Sequence, residues 1–586
     1  MMDKLWSKSI RSVRNGAAAA LFFLLSAQLA VAEMVFTGIA AGDMTDHSVV
    51  LWTRTADRDG LDGHPLSAQL SVQISADVSF LHSMIAHICT TDANHAGTVK
   101  VDIGGLRANQ RYYYRFRSAD GELSPIGRFT TAPMPGQKAE VKFAFSGDAD
   151  GRFRPYPLIA EFAKLDLDYF IFLGDTVYET ASKGSPAAAD PFRDPATALV
   201  DYRRKYLENL LPVAAGGQAG LRGMFAAQGN YTLLDNHELG NRQFQSGGAP
   251  AGSPPGEGVD AGSPANDANR SGTFMNETAG YRAMIRAYDE FEPVRRQFVA
   301  TSEDPRSGGT QKLYFSQRWG ANCIFINVDD RSYRDIRLAK PDGKDDTGPR
   351  ADDPGRTILG AVQFAWLERT LVNAERQNVV WKIVAISSPI DQIGNDGGKS
   401  WVGGYRAERN RLLEFIADDR IRHVVFLTTD DHQNRFNQLR YADPKRPGRT
   451  ILVPGAFTIV AGPLGAGGPD QITTHDFPAI KSITDTLVAK QLAQGLEPIG
   501  LDAKFPGLTN VFREGDGDAD RLRQPVDFYS PDTFNYVVLD ISRDGRTLSV
   551  DTWGIPSYME NTFPELAAAG APRHILGFQI VGQPGK

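Results

Sequence analysis

Four apolar runs of this sequence lead directly into short segments rich in side chains that can bind a metal ion. The segments are 146–150, 174–178, 235–238 and 428–432, and each contains aspartate together with glycine, asparagine, histidine, tyrosine or threonine. A single Gly-Asp pair after a strand is more often a turn or a helix cap. Four such segments in one region, two of them with histidine, are difficult to explain as turns.

The ligand types indicate the class of metal and of reaction. Oxygen and imidazole groups without thiolates suit Fe, Mn, Zn, Ca or Mg. A carboxylate at a strand end can bridge two metals about 3.5–4 Å apart. Such a pair holds a phosphate oxygen and lowers the pKa of a bound water, which then attacks phosphorus near neutral pH.

The runs that precede these segments are predicted strands of a buried sheet. Six such runs lie at 141–145, 169–173, 231–234, 323–328, 381–386 and 423–427. Helix candidates lie between them at 157–165, 359–377 and 405–417. This alternation indicates an α/β (α+β) architecture. In open α/β sheets, ligands bind beyond the carboxyl ends of the strands, where all four segments lie.

The region before this pattern is different. Residues 34–133 contain strand-like runs at 48–53, 68–74 and 112–117 and no window of good helical periodicity. About 100 residues of short strands favour a β-sandwich of immunoglobulin or fibronectin type. Residues 131–136 are typical of a linker.

Composition sets the remaining limits. A chain of 586 residues is too long for one ordinary core, and its net charge of −7 gives no indication of nucleic-acid binding. Residues 1–32 combine a basic start, the apolar run 17–25 and Ala30-Val31-Ala32, which favours a cleaved signal peptide over a membrane anchor. No later segment is apolar enough to span a membrane. We therefore expect a secreted or periplasmic protein.

Three further segments carry predictions. Residues 246–272 are rich in Gly, Pro, Ala and Ser and predict a surface loop, either a mobile flap or a simple insertion. The two cysteines, Cys89 and Cys323, are expected to be buried thiols rather than a disulfide. The runs 535–541 and 547–553 flank a Gly-containing turn and predict a hairpin, after which 561–586 is taken as a C-terminal tail.

Several motifs together resemble one family. Residues 174–178 (Gly-Asp-x-x-Tyr) and 236–238 (Asn-His-Glu) resemble the calcineurin-like metallophosphatase signature. The chain resembles the alkaline phosphatase D (PhoD-type) family of that superfamily from about residue 35 to 555. The other matching motifs are 49–54, 170–179, 329–334, 360–367 and 404–409. The resemblance implies a fibronectin type III-like domain at 34–133 and a metallophosphatase domain at 140–560, with a central β-sandwich flanked by helices.

The same resemblance implies roles for individual residues. The implied first-metal ligands are Asp148, Asp175, Tyr178 and His432. Asp175 would bridge to a second metal held by Asn236 and Asp430. His237 would assist phosphate binding or the leaving group. The family implies iron at the first position and calcium or another divalent ion at the second.

This sequence departs from the family pattern at several positions. Asp148 stands where some members have cysteine, Asn236 where an aspartate is usual, and Thr429 where a glycine is usual. Residues 387–388 are serines at a strand end where relatives outside the family often place a metal-binding histidine. The second metal is therefore expected to be bound through fewer protein groups, more weakly, or with extra water.

Three neighbouring residues keep two interpretations each. Asp150 could bind a metal or tighten its turn. Asp431 lies between two candidate ligands and is expected to point away from them. Arg331 could bind the phosphate, as a catalytic residue, or form a structural ion pair.

The sequence thus predicts a secreted, metal-dependent hydrolase of phosphate monoesters or diesters. One alternative is a phospholipase D-like phosphodiesterase on the same scaffold. The other is a secreted binding protein whose catalytic domain has decayed, although its full set of predicted ligands argues against decay.

Overall fold

The computed structural model describes residues 33–59, 63–213, 220–241, 278–300, 308–335, 349–391, 400–469, 477–493, 499–502, 504–513, 528–560 and 571–582. The strands are β1 (Val35–Gly42), β2 (Val49–Ala56), β3 (Gln69–Ser75), β4 (Met84–Thr90), β5 (Thr98–Ile103), β6 (Arg111–Ser118), β7 (Gly127–Thr130), β8 (Val141–Ser146), β9 (Tyr169–Phe172), β10 (Gly229–Thr232), β11 (Phe315–Trp319), β12 (Cys323–Asn327), β13 (Trp381–Ala385), β14 (Val424–Thr428), β15 (Asn434–Ala442), β16 (Thr450–Val460), β17 (Leu508–Arg513), β18 (Tyr529–Ser530), β19 (Thr533–Ile541), β20 (Thr547–Pro556) and β21 (Arg573–Val581). The α-helices are α1 (Ile159–Phe162), α2 (Pro195–Leu210), α3 (Leu221–Ala227), α4 (Ala279–Phe291), α5 (Ala361–Arg376), α6 (Trp401–Gly404), α7 (Arg406–Asp418) and α8 (Phe477–Ala493). Short 3-10 helices lie at Ala93–His95, Gly151–Phe153, His237–Leu239 and Pro349–Asp352.

Two large sheets form the body of the protein. The first has ten strands in the order β17-β21-β20-β19-β8-β9-β10-β1-β2-β5, and the second has seven in the order β11-β12-β13-β14-β16-β15-β18. Strands β8, β9, β10 and β1 run parallel to one another, as do β12, β13, β14 and β16. Each sheet therefore has an edge at which several carboxyl ends lie side by side.

The two sheets face each other across an aromatic core. Alternate residues of β8 point to opposite faces, so Phe143 lies in the core between the sheets while Ala144 faces the outer layer. Tyr231 of the ten-stranded sheet and Phe325 of the seven-stranded sheet meet with ring centroids 4.6 Å apart. Helices α2 and α4 cover the outer face of the first sheet, and α5 and α7 cover that of the second. The result is a central two-sheet core flanked by helices.

The N-terminal region is all-β, as predicted, but its strands are divided between two sheets. Strands β4, β3, β6 and β7 form a separate four-stranded sheet, whereas β1, β2 and β5 extend the ten-stranded sheet. The N-terminal strands join the rest of the ten-stranded sheet through the parallel pairing of β1 with β10, in which Ala41 lies opposite Gly229. Residues 34–133 therefore contribute strands to the ten-stranded sheet as well as forming a sheet of their own. Strand β2 is buried on both faces because Leu51 packs in the central core and Trp52 packs against the helical layer. The fibronectin type III likeness stays a prediction.

Most predicted elements occur close to their expected bounds. The helix predicted at 359–377 is α5, the one at 405–417 is α7, and the hairpin is β19–β20. The helix predicted at 157–165 is reduced to the single turn α1. Both cysteines are free thiols, Cys323 buried and Cys89 half-buried.

The predicted C-terminal tail needs a correction. Within 561–586, strand β21 pairs with β20 in the ten-stranded sheet, because Leu576, Phe578 and Ile580 contribute alternate apolar side chains to the core. The signal peptide at 1–32 and the loop at 246–272 lie outside the described residues. Among the helices of the described ranges, we find none with the length and hydropathy needed to cross a membrane.

Candidate metal centre

The predicted ligands lie at the carboxyl ends of strands from both large sheets. Asp148, Asp175 and Asn236 follow β8, β9 and β10 of the ten-stranded sheet. Asp430 and His432 follow β14 of the seven-stranded sheet. The two sheets therefore contribute ligands to one site from opposite sides.

Four side chains converge at the centre of this site. One ligand atom each from Asp148, Asp175 and His432 lies within 4.8 Å of the others. His432 Nε2 is 3.4 Å from Asp148 Oδ1. The Tyr178 hydroxyl donates to Asp175 Oδ2 at 3.0 Å and lies 3.3 Å from His432 Nε2. The structure thus brings together the four residues that the resemblance implied for a first metal.

Backbone geometry holds these ligands in place. Asp148, Asp175, Asp430 and His432 all have positive φ, at 61°, 55°, 66° and 52°. This left-handed conformation is uncommon for residues other than glycine, and such residues concentrate at functional sites. The first two loops also support each other, because the Asp148 amide donates to the Gly174 carbonyl at 3.2 Å.

The residues implied for a second metal lie beside this group. Asn236 donates through Nδ2 to Asn241 Oδ1 at 3.2 Å, while its own Oδ1 is buried with no hydrogen-bond partner among the described residues. The next backbone amide, that of His237, donates to Asp175 Oδ1 at 2.9 Å. Asp430 Oδ2 accepts a hydrogen bond from Arg331 at 3.0 Å.

The His237 ring is fixed on two sides. Its Nδ1 lies 2.7 Å from Glu179 Oε2, and the ring stacks on Tyr178 with centroids 3.8 Å apart. Burial alone would raise the pKa of Glu179, but the hydrogen bond with His237 holds it below its usual value. A carboxylate at Nδ1 places a proton there, so Nε2, which lies 3.9 Å from Asp175 Oδ2, faces the site.

Arg331 is fully buried between two carboxylates. Its Nε donates to Asp235 Oδ1 and its Nη2 to Asp430 Oδ2. Burial alone would lower the pKa of Arg331, but Asp235, Asp430 and Asp330 keep it well above its usual range. This geometry favours the ion-pair interpretation of Arg331 over direct phosphate binding.

The other two uncertain residues have clear partners. Asp150 accepts hydrogen bonds from the Arg152 amide at 3.0 Å and from the Thr180 hydroxyl at 2.7 Å, which favours the turn interpretation. Asp431 pairs with Arg435 at 2.6 Å, which favours the interpretation that it points away from the ligands.

Sequence reasoning missed residues that support the ligands. Glu238 is fully buried and accepts from the backbone amides of Asp175, Thr176 and Asp235, at 3.0, 2.6 and 2.9 Å. Its position in the Asn-His-Glu motif was the available signal. Glu179 likewise follows directly after the Gly-Asp-x-x-Tyr motif.

The electrostatics of the site fit a bound cation. Burial, together with the carboxylates of Asp235, Glu238, Asp148 and Asp430, raises the pKa of Asp175 well above its usual value. Burial alone would lower the pKa of His432, but Asp148 raises it to about 9. Buried charges of one sign are costly unless a cation compensates them. Since Asp148 Oδ1 and Asn236 Oδ1 also lack hydrogen-bond partners in the described part of the chain, the donor set fits a metal.

The fold and site together define a two-sheet α/β protein with a candidate metal site at its strand ends. Comparison with known families gives the particular assignment. The family model "PhoD-like phosphatase" matches residues 142–494, and the model "PhoD-like phosphatase, N-terminal domain" matches 24–133. The chain belongs to the PhoD-like phosphatase family, which confirms the resemblance of its motifs.

Two relatives illustrate this membership. Alkaline phosphatase D of Bacillus subtilis (strain 168) is 29% identical over 412 residues, which are 67% of this chain and 64% of that protein. A solved structure described as "Structure of PhoD" is 21% identical, covers 93% of this chain and 90% of its own, and has a TM-score of 0.66. At 21% identity, the similarity to this solved structure shows a shared fold. The first match spans less than two thirds of that relative's own length.

The raised pKa of Asp175 predicts how the metal-free protein responds to pH. A carboxyl whose folded-state pKa exceeds its unfolded value stabilises the fold at low pH, and this stabilisation is lost as pH rises through the folded pKa. Chelator-stripped Asp175→Asn should therefore melt at a higher temperature than stripped wild type at pH 8, with little difference at pH 4. Scanning calorimetry measures both.

A matched variant gives the opposite sign. Asp391 is also buried, but it is paired with Arg435 at 2.7 Å, so Asp391→Asn should lower the melting temperature at pH 8. Equal melting of stripped wild type and Asp175→Asn at pH 8 would contradict the electrostatic account.

Proposed function

We propose that this protein is a metal-dependent phosphoric ester hydrolase. The observation that carries the proposal is the convergence of Asp148, Asp175, His432 and Tyr178 from two sheets, with ligand atoms of the first three within 4.8 Å. Family membership supports the same reaction class. The complete ligand set is an argument against a binding protein that has lost catalysis.

The side chains divide into two ligand groups around Asp175. Asp148, Asp175, Tyr178 and His432 would hold the first metal, and Asp175 with Asn236 and Asp430 would hold the second. Bound metals would supply Lewis-acid activation of the phosphate ester and of the attacking water. We propose iron as the first metal and calcium or another divalent ion as the second.

The surrounding residues orient these ligands and handle protons. The amide of His237 donates to Asp175 Oδ1, and the hydroxyl of Tyr178, itself a proposed ligand, donates to Asp175 Oδ2. These two contacts fix the plane of the Asp175 carboxylate. Arg331 holds Asp430 in position. Glu179 holds the Nδ1 proton of His237, and Nε2 faces the site. When the ring carries a second proton, on Nε2, it would give that proton to the departing alkoxide oxygen and return to the neutral Nδ1–H form.

The substrates of the proposed site are phosphate esters. Phosphate monoesters and diesters, including those of phospholipids, share the phosphoryl group that this site would bind. The N-terminal composition supports action outside the cytoplasm, in a secreted or periplasmic protein. We further propose that residues 34–133 form a fibronectin type III-like domain.

Metal content is the direct test of the proposal. Purified protein should contain at least one tightly bound metal per chain by elemental analysis. A strong chelator should abolish hydrolysis of a chromogenic aryl diester and monoester, and re-addition of a divalent ion should restore it. The ratio of diester to monoester turnover separates the two activities. Full hydrolysis by verified metal-free protein would contradict the mechanism.

His237 has a specific role in proton transfer. Acid–base assistance typically contributes about 10²–10⁴-fold, so His237→Ala should lower kcat within that range while keeping the metal content of wild type. The effect should be smaller for substrates with acidic leaving groups, since these need less protonation.

A second histidine provides the control. His574 forms a similar pair with Asp551 at 2.8 Å in strands β21 and β20. His574→Ala should keep normal turnover. Unchanged kcat in His237→Ala would show that His237 is structural.

A further inference from the structure

Thr429 makes a contact that links the two large sheets inside the site. It follows β14 of the seven-stranded sheet and is fully buried. Its hydroxyl donates to Oδ2 of Asp148, which follows β8 of the ten-stranded sheet. The Thr429 amide is itself held by the Ser387 carbonyl at 3.0 Å. The hydroxyl therefore reaches Asp148 from a fixed backbone position.

Glycines leave room for this contact on two sides. A Cβ atom at Gly147 would lie 2.9 Å from Thr429 Oγ1. A Cβ atom at Gly462 would lie 2.6 Å from Asp148 Oδ2 and 2.9 Å from Thr429 Oγ1, and Gly462 has a φ of +104°. Larger residues at these positions would displace either the hydroxyl or the carboxylate. The local backbone is thus shaped around the pair.

The two carboxylate oxygens of Asp148 have different partners. Oδ2 accepts from Thr429, whereas Oδ1 lies 3.4 Å from His432 Nε2, among the atoms of the proposed metal centre. Groups that hydrogen-bond a metal ligand fix its orientation, so less entropy is lost when the metal binds. A glycine at 429 could not supply such a donor.

We propose that Thr429 is a positioning residue that fixes Asp148 so that only its Oδ1 is presented to the first metal. This inference rests on the proposed metal centre. It assigns a role to the position at which this sequence departs from the glycine of the family pattern. It also makes the first metal depend on contact between the two sheets.

Three substitutions at 429 test the role of the hydroxyl. Thr429→Ser keeps the donor, Thr429→Ala removes it with a loss of volume, and Thr429→Val removes it with little change in volume. Removing a group that orients a metal ligand typically weakens metal binding about 10–100-fold. We expect this loss in the Ala and Val variants and near wild-type affinity in the Ser variant. Competition with a chromogenic chelator measures the dissociation constant, and elemental analysis measures metal per chain.

Two controls separate positioning from a general effect on stability. Thr428 is equally buried, but its hydroxyl faces the Ile459 carbonyl at 3.5 Å, so Thr428→Val should leave metal affinity unchanged. In an Asp148→Asn background, Thr429→Val should have almost no further effect on affinity, because the two residues act as a unit. Denaturant unfolding of the stripped proteins confirms that each variant folds.

The outcomes distinguish this inference from the proposed function. If wild type binds metal and hydrolyses esters but Thr429→Val and Thr429→Ala match Thr429→Ser in affinity, the inference is overturned and the function stands. Fully additive effects of Thr429→Val and Asp148→Asn would also overturn it. If purified wild type neither contains nor takes up metal, the proposed function fails, and the inference fails with it.

Discussion

The burial of several carboxylates at one point is the constraint on which the rest of this structure depends. Asp148, Asp175 and Asp235 are each at most 1% exposed, and they lie near Asp430. Negative charges in a low-dielectric interior repel strongly unless cations lie between them. Arg331 meets this need for Asp235 and Asp430. In our account a metal meets it for Asp148 and Asp175, and we therefore propose this cluster as the functional centre.

The two-sheet core explains how such a cluster can form. Parallel strands place several carboxyl ends at one edge of a sheet, and the packed aromatic core holds the corresponding edge of the second sheet opposite. Asp175 therefore comes from one sheet and His432 from the other, and the site is enclosed on both sides. Hydrogen bonds to Glu238 then hold the Asp175 and Asp235 loops together beneath the ligands.

The sequence was sufficient for the strands and for the residues that follow them, because apolar runs and polar strand ends are local patterns. It did not predict that β14 lies in a different sheet from β8, or that β1 pairs with β10, since strand neighbours are set by contacts between distant residues. The partners of Arg331 and the acceptor of the Thr429 hydroxyl were beyond sequence reasoning for the same reason. Arg331 Nε and the Thr429 hydroxyl each donate to a carboxylate of the facing sheet, Asp235 and Asp148 respectively.

Anomalous X-ray diffraction from crystals of the purified protein, recorded at the absorption edge of its metal, tests the central claim most directly. The account predicts a peak within about 2.0–2.6 Å of Asp148 Oδ1, Asp175 and His432 Nε2. A second metal should lie about 3.5–4 Å away, between Asp175, Asn236 and Asp430. A map from hydrolytically active protein that shows no metal among Asp148, Asp175 and His432 would contradict it.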